Sequence, residues 1–200
     1  MTDPERDTFH HGNLKAALLQ AALDLLDSAG AEAITIRAVA RKAGVSHAAP
    51  VNHFKDRKAL HTAVCAALFE ELGSEISERL AEKEGCAREG AAVFADTLIT
   101  YGLRKPNRYT MLWRRDLTNA ADASLQAAMD RIYDELMQVL ESTKTTRAFD
   151  DHTAAIALWS LAHGYVSLRL SGNFEPMDDE VTGQPRQEAM LNVLLNALSS

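Results

Sequence analysis

The sequence predicts an all-α protein of about nine helices, and three observations carry that expectation. Apolar residues recur at spacings of three and four along almost the whole chain. No run alternates apolar and polar residues with period two over a useful length, and no repeat of roughly 20–50 residues is visible. Glycine, proline and capping residues break the apolar stretches at helical lengths. With 200 residues, 46% hydrophobic and 24% charged, the chain can fill one large core, or two small ones sharing an interface.

The elements follow in order. Leu14, Leu18, Ala21, Ala22 and Leu25 mark a first helix that Gly30 stops. Thr35 caps a short segment carrying Val39, Ala40 and Ala43, and Gly44 breaks it. Ser46 is placed to cap a second short segment. Asp56 caps a long helix with Leu60, Val64, Leu68, Leu72, Ile76 and Leu80 in register. Gly85 and Gly90 bracket the next boundary, and further helices are expected over 87–104, 107–117, 121–145, 150–171 and 186–199. Asn173–Pro185, with Pro176, Gly183 and four acids, is the long loop. His152–Leu168 is free of charge for 17 residues but holds Ser160, His163 and Gly164, so it reads as a buried helix and not a membrane span. The acidic opening residues lack the apolar run of a signal peptide, and Cys65 and Cys86 lack metal-ligand spacing. A reducing cytoplasm, with no cofactor and no metal, is expected. His10-His11 has no third ligand placed by the sequence and reads as an exposed basic arm.

The net charge of -7 argues at first against nucleic acid, but it is unevenly spread. Residues 1–60 hold 8 Lys/Arg against 7 acids, and residues 61–200 hold 13 against 21. Between Ile34 and His61 stand six Lys/Arg and three His against Asp56 alone. A local basic face can meet phosphates while the rest of the chain stays acidic; the plainer alternative is a solvated face.

Thr35 to Phe54 reads as a helix, a tight turn at Ala43-Gly44-Val45 and a second short helix, with Ile36, Val39, Ala40 and Val45 as the seam between them. This is the helix-turn-helix plan, whose second helix enters the DNA major groove. Thr35 and Ser46 sit at helix N-termini, where hydroxyl and free N–H groups hold phosphate. Small Ala48 and Ala49 allow close approach to base edges and thymine methyls, and His47 and Asn52 can read edges or touch the backbone. Arg37, Arg41, Lys55 and Arg57 are phosphate candidates. Pro50 removes an N–H, but the carbonyl it crowds is that of Ser46, so the disturbance is expected in the first turn only.

The stretch Leu26–Gly30, then Ile34–Ser46, then His53-Phe54 and Asp56–Leu60 resembles the TetR family of bacterial transcriptional regulators over about residues 10–60. Arg57 stands where the family commonly has Lys, and Val51 where it commonly has Tyr. The His-Phe pair adds His53 to the DNA-binding candidates. Trp159-Ser-Leu-Ala-His163-Gly164 and Pro106–Leu112 are similar to one C-terminal subgroup with a Trp…His-Gly signature. The resemblance implies a DNA-binding domain over 1–60 and a regulatory and dimerisation domain over 61–200. It also implies a homodimer through the last two helices, a ligand cavity in the other C-terminal helices and a double-stranded DNA operator.

Phe94, Tyr101, Trp113, Tyr133, Met137 and Trp159 are the candidates to line that cavity, although aromatic residues at helical spacing also build cores. His163 either orients a ligand or packs in the core where Gly164 admits a close helix. Met190, Val193, Leu194 and Ala197 form a stripe that suits a partner helix, or packing within the chain. The function these readings favour is a repressor released from DNA by a small apolar or amphipathic effector. A ligand-independent activator or co-regulator is the alternative. An enzyme is not expected: His152, His163, Asp150, Asp151 and Glu135 come with no nucleophile motif, phosphate loop or metal spacing.

Overall fold

The computed structural model describes residues 14–82, 87–141 and 149–199. Among them it has eight α-helices, two 3₁₀ turns and one isolated antiparallel bridge, Asp178 with Pro185. His10, His11, Gly85, Cys86 and the end of the helix expected over 121–145 lie outside the described residues. No helix among the described residues is long and apolar enough to cross a membrane.

Helix α1 (Leu14–Ala29) buries Leu18, Ala21, Ala22 and Leu26, one stripe at helical spacing. A 3₁₀ turn (Ala31–Ala33) leads to α2 (Ile36–Lys42). The Thr35 hydroxyl accepts the Ala38 N–H at 3.1 Å, as its position before α2 predicts. Helix α2 closes with Val45 N–H donating to Ala40 O and Gly44 N–H to Arg41 O. That pair of bonds needs Gly44 in the left-handed region, where it sits at φ +70°.

The second half of the helix-turn-helix departs from expectation. It is a 3₁₀ turn, Ala49–Asn52, and not an α-helix, which accounts for eight helices instead of nine. Pro50 is the physical reason. An α-helical turn needs the N–H of residue 50 to reach Ser46 O, and proline has none. Ser46 O takes the Ala49 N–H at 3.1 Å, an i→i+3 bond, and the tighter winding persists to His53. Among the described residues the Ser46 hydroxyl makes no capping bond; residue 48, in helical conformation, occupies the cap position without a side-chain bond.

Helix α3 (Arg57–Ala81) is capped by Asp56, whose carboxylate accepts Ala59 N–H at 2.7 Å. Its 25 residues span about 37 Å, and it runs through residue 60 without a break. It packs on α6 (Ala123–Glu141) and α4 (Ala87–Arg104). Helices α7 (Asp151–Leu170) and α8 (Arg186–Ser199) close the C-terminal bundle against α4. The close approach expected at Gly164 is found elsewhere. A Cβ on Gly164 would meet nothing within 4 Å, whereas one on Gly102 of α4 would lie 2.6 Å from Val166 and 3.0 Å from Tyr109.

Helix α5 (Pro106–Leu112) is shorter than the expected 107–117. Beyond Trp113 the chain turns through Arg114 N–H to Met111 O and Leu117 N–H to Arg114 O, while the Arg114 guanidinium folds back on Asp116 at 2.9 Å. Asn173–Pro185 is a loop, as expected; its Asp179 carboxylate accepts the Val181 and Thr182 N–H groups.

Candidate DNA-binding face and effector cavity

The turn after α2 presents its polar side chains outward. Arg37, Arg41, Ser46, His47, Ala48, Asn52 and Lys55 are exposed, and Thr35, Ala49 and His53 are half-buried. Among the described residues, the side chains of Arg37, Arg41, His47, Asn52 and Lys55 form no hydrogen bond or ion pair, so their donors are free. The segment is pinned from behind: Pro50 is buried, Phe54 is buried, and Phe54 N–H donates to Pro50 O at 2.8 Å. Val51, 56% exposed, adds an apolar contact beside Asn52.

Arg57 is different. Its Nε–H donates to Ile34 O at 2.9 Å and its Nη2 to Glu32 Oε2 at 3.0 Å. Any phosphate contact by Arg57 competes with these bonds. His61, buried one turn further along α3, donates from Nε2 to the same Ile34 carbonyl at 3.1 Å. Burial pulls the His61 pKa below its usual value, so the ring is neutral at physiological pH. Arg57 and Arg114 together hold the Glu32 carboxyl below the usual carboxylate range.

The C-terminal half contains three cavities that share one wall, Trp113. The first, about 600 Å³, lies toward Cys65, Leu125 and Arg115. The second, about 370 Å³, is bounded by Phe69, Tyr133, Trp159 and Asp130. The third, about 400 Å³, lies toward Tyr109, His163 and Ser167. Trp113 packs edge-on against Phe69 and Trp159 at 6.0 and 6.1 Å. Burial pushes the Cys65 thiol up to about 12, so it stays protonated.

Of the seven residues expected to line a cavity, the structure brings Trp113, Tyr133, Trp159 and His163 to these walls. Phe94 and Tyr101 are fully buried in the core, Phe94 behind Trp159 at 5.7 Å, and Met137 packs half-buried against the core. Those three line none of these cavities. His163 accepts from the Tyr109 hydroxyl at Nδ1, 2.7 Å, and burial lowers its pKa, which fits a neutral acceptor ring. Tyr133 pairs in the same way with His152 Nδ1 at 2.8 Å. Phe69, Met129 and Asp130 escaped the sequence reading. Apolar residues at helical spacing and a lone acid on a helix give no sign of a cavity wall; the one signal for Asp130 is its place a turn before Tyr133.

Helix α5 connects the two regions. Tyr109 on its inner side and Trp113 just past its end face the cavities. Its other side reaches the N-terminal helices: Asn107 Nδ2 donates to Asp27 O at 3.1 Å, Arg108 pairs with Asp27 at 2.6 Å and with Glu71, and Arg114 meets Glu32 at 3.2 Å. Arg108 holds the Asp27 carboxyl below its usual range.

Residues 18–64 match the model of bacterial regulatory proteins of the tetR family, and residues 91–194 match the tetracyclin repressor-like C-terminal domain. The chain is 27% identical to the uncharacterised HTH-type transcriptional regulator Rv0681 of Mycobacterium tuberculosis, over 83% of this chain and 74% of that protein. A protein of unknown function from Rhodococcus sp. RHA1 has the same fold, with a TM-score of 0.77 and 24% identity over 96% of both chains. The transcriptional regulator FadR from Bacillus subtilis, solved in complex with stearoyl-CoA, shares the fold at a TM-score of 0.62 and 14% identity, covering 92% of this chain and 97% of its own.

Proposed function

The chain belongs to the TetR family of bacterial regulatory proteins, and from that premise we propose that it is a homodimeric repressor released from its operator by a small amphipathic effector. The observation that carries the proposal is the position of Trp113. It walls all three cavities, and its neighbour in the chain, Arg114, bonds to Glu32 beside the helix-turn-helix. A ligand that displaces the indole moves the backbone that holds Arg114. That in turn disturbs Glu32, Arg57 and the Ile34 carbonyl, the contacts that set α2 against α3. Operator affinity falls by the difference in the ligand's affinity for the two arrangements, and operator DNA weakens the ligand by the same factor.

The DNA-binding role falls to Arg37, Arg41, His47, Ala48, Ala49 and Asn52, with Thr35, Ser46, His53 and Lys55 along the backbone path. The 3₁₀ winding narrows the reading element to a single turn. Dimerisation is supported by what α7 and α8 leave uncovered. Leu191 and Leu195 are buried within the chain, while Val193 on α8 is 72% exposed and Leu168 on α7 is 38% exposed. Val193 therefore faces outward, while Met190 and Leu194 of the same stripe are half-buried against the core; the exposed side suits a second copy, which would set the two reading turns about 34–36 Å apart. FadR, with its acyl-CoA, is a fold relative that holds a small molecule. The test is a mobility shift on the DNA flanking the protein's own gene. A salt-sensitive, sequence-selective shift is expected, and non-selective retardation alone would refute the operator reading.

A further inference from the structure

We propose that the cavity of about 370 Å³ between α3, α6 and α7 selects an organic cation: a ring-sized ammonium or heteroaromatic cation. The inference rests on the effector reading of the Trp113 cavities and names its ligand chemistry. Four aromatic rings wall this cavity, those of Phe69, Trp113, Tyr133 and Trp159. Among the described residues its one charged side chain is Asp130, and no Lys, Arg or His lines it. The Asp130 carboxylate is exposed at the rim, and among the described residues it takes part in no hydrogen bond or ion pair. A charge left uncompensated at the mouth of an aromatic box is a counter-ion without its partner.

The surroundings have the same sign. Asp130 also lines the neighbouring groove on α6, together with Asp134 and Glu135 against the single base Arg131. Asp130 also borders the adjoining cavity that holds Arg115, but the two form no ion pair among the described residues, and Arg115 does not line this cavity. Aromatic faces carry negative quadrupole potential and attract cations within about 6 Å of the ring centre. The low-dielectric walls and the acidic rim concentrate cations at the mouth. An anion meets the rings and the carboxylate together, so the acyl-CoA class bound by FadR does not suit this cavity. Its volume lies near the lower end of small-molecule sites, which favours a ligand of one or two rings.

The chain's two tryptophans both wall the cavity, so intrinsic fluorescence of the full-length protein reports occupancy. Three probes of matched shape separate charge from hydrophobicity: benzyltrimethylammonium, its neutral carbon isostere neopentylbenzene, and phenylmethanesulfonate. The cation is expected to bind about tenfold tighter than the isostere, with the sulfonate weakest. Asp130→Asn should weaken the cation about threefold or more and leave the isostere unchanged. Equal affinity for cation and isostere, or a preference for the sulfonate, overturns the cation proposal and leaves an apolar effector site. Selective cation binding without any change in the operator mobility shift upholds the cation preference and overturns the effector reading. Absence of quenching by all three overturns both.

Discussion

Replacing Gly102 by alanine tests whether α4 passes as close to α5 and α7 as the structure places it. The new Cβ would lie 2.6 Å from Val166 Cγ1, and 3.0 and 3.2 Å from two ring carbons of Tyr109. All three residues are buried, so no flexible tip yields. Overpacking of this kind costs about 1–3 kcal/mol. Alanine returns about 1 kcal/mol of helix propensity relative to glycine, which leaves a net loss of up to about 2 kcal/mol. At about 2–4 °C per kcal/mol for a chain of this size, the melting temperature falls by up to about 8 °C. Removing the obstruction should rescue it. Val166→Ala alone leaves a cavity and destabilises, but the double variant should be more stable than the sum of the two by about 1 kcal/mol or more. Thermal and urea unfolding of the four proteins closes the cycle. The reasoning fails if Gly102→Ala stabilises by about 1 kcal/mol, the value for a helical glycine in open space.

Three further outcomes follow from the same geometry. Asn52→Ala should weaken operator binding by about 1–3 kcal/mol and relax specificity at one base pair, whereas Arg41→Ala should weaken all sequences alike and reduce the salt slope by about 1, both read by titrated mobility shifts. His61 is held neutral by burial, so the unfolded chain takes up its proton near the ordinary value of 6.5 while the folded one does so only lower. Its stabilisation is complete above pH 6.5 and is lost as the pH falls toward the lowered folded value; melting temperature measured from about pH 7.5 to 5.5 should drop, with a shallower slope in His61→Gln. Val193→Asp places a charge in the exposed α8 stripe, and light scattering should then find a monomer that no longer shifts operator DNA.

The local signals were legible in the sequence because their physics is local. Thr35 and Asp56 cap helices by bonds to N–H groups three residues on. Gly44 closes α2 through contacts within five residues. The readings that missed required knowledge of what lies across the fold. Arg57 has the composition of a phosphate ligand, yet Glu32 and Ile34, 25 and 23 residues away, already bind it. Phe94 and Trp159 show the same helical spacing, and only the packing of α4 on α7 decides that one ring is core and the other is wall. Pro50 disturbs more than the first turn that the sequence predicts. One missing N–H changes the winding of a four-residue element, because so short an element has no neighbouring turns to restore it.

The same logic explains why the link between cavity and DNA face was not legible at all. The sequence pattern predicts a helix over 107–117, which would keep Trp113 and Arg114 on a regular helix. The helix ends at Leu112 instead, and Arg114 turns back toward Asp116 and Glu32. That break lets adjacent residues serve opposite regions, with Trp113 in the cavity walls and Arg114 beside the helix-turn-helix. A continuous helix would separate neighbours by about 100° around one axis and hold both rigidly. On the proposed function, this helix end, which has fewer backbone bonds to break than a helix interior, is where a bound effector acts on the DNA-binding region.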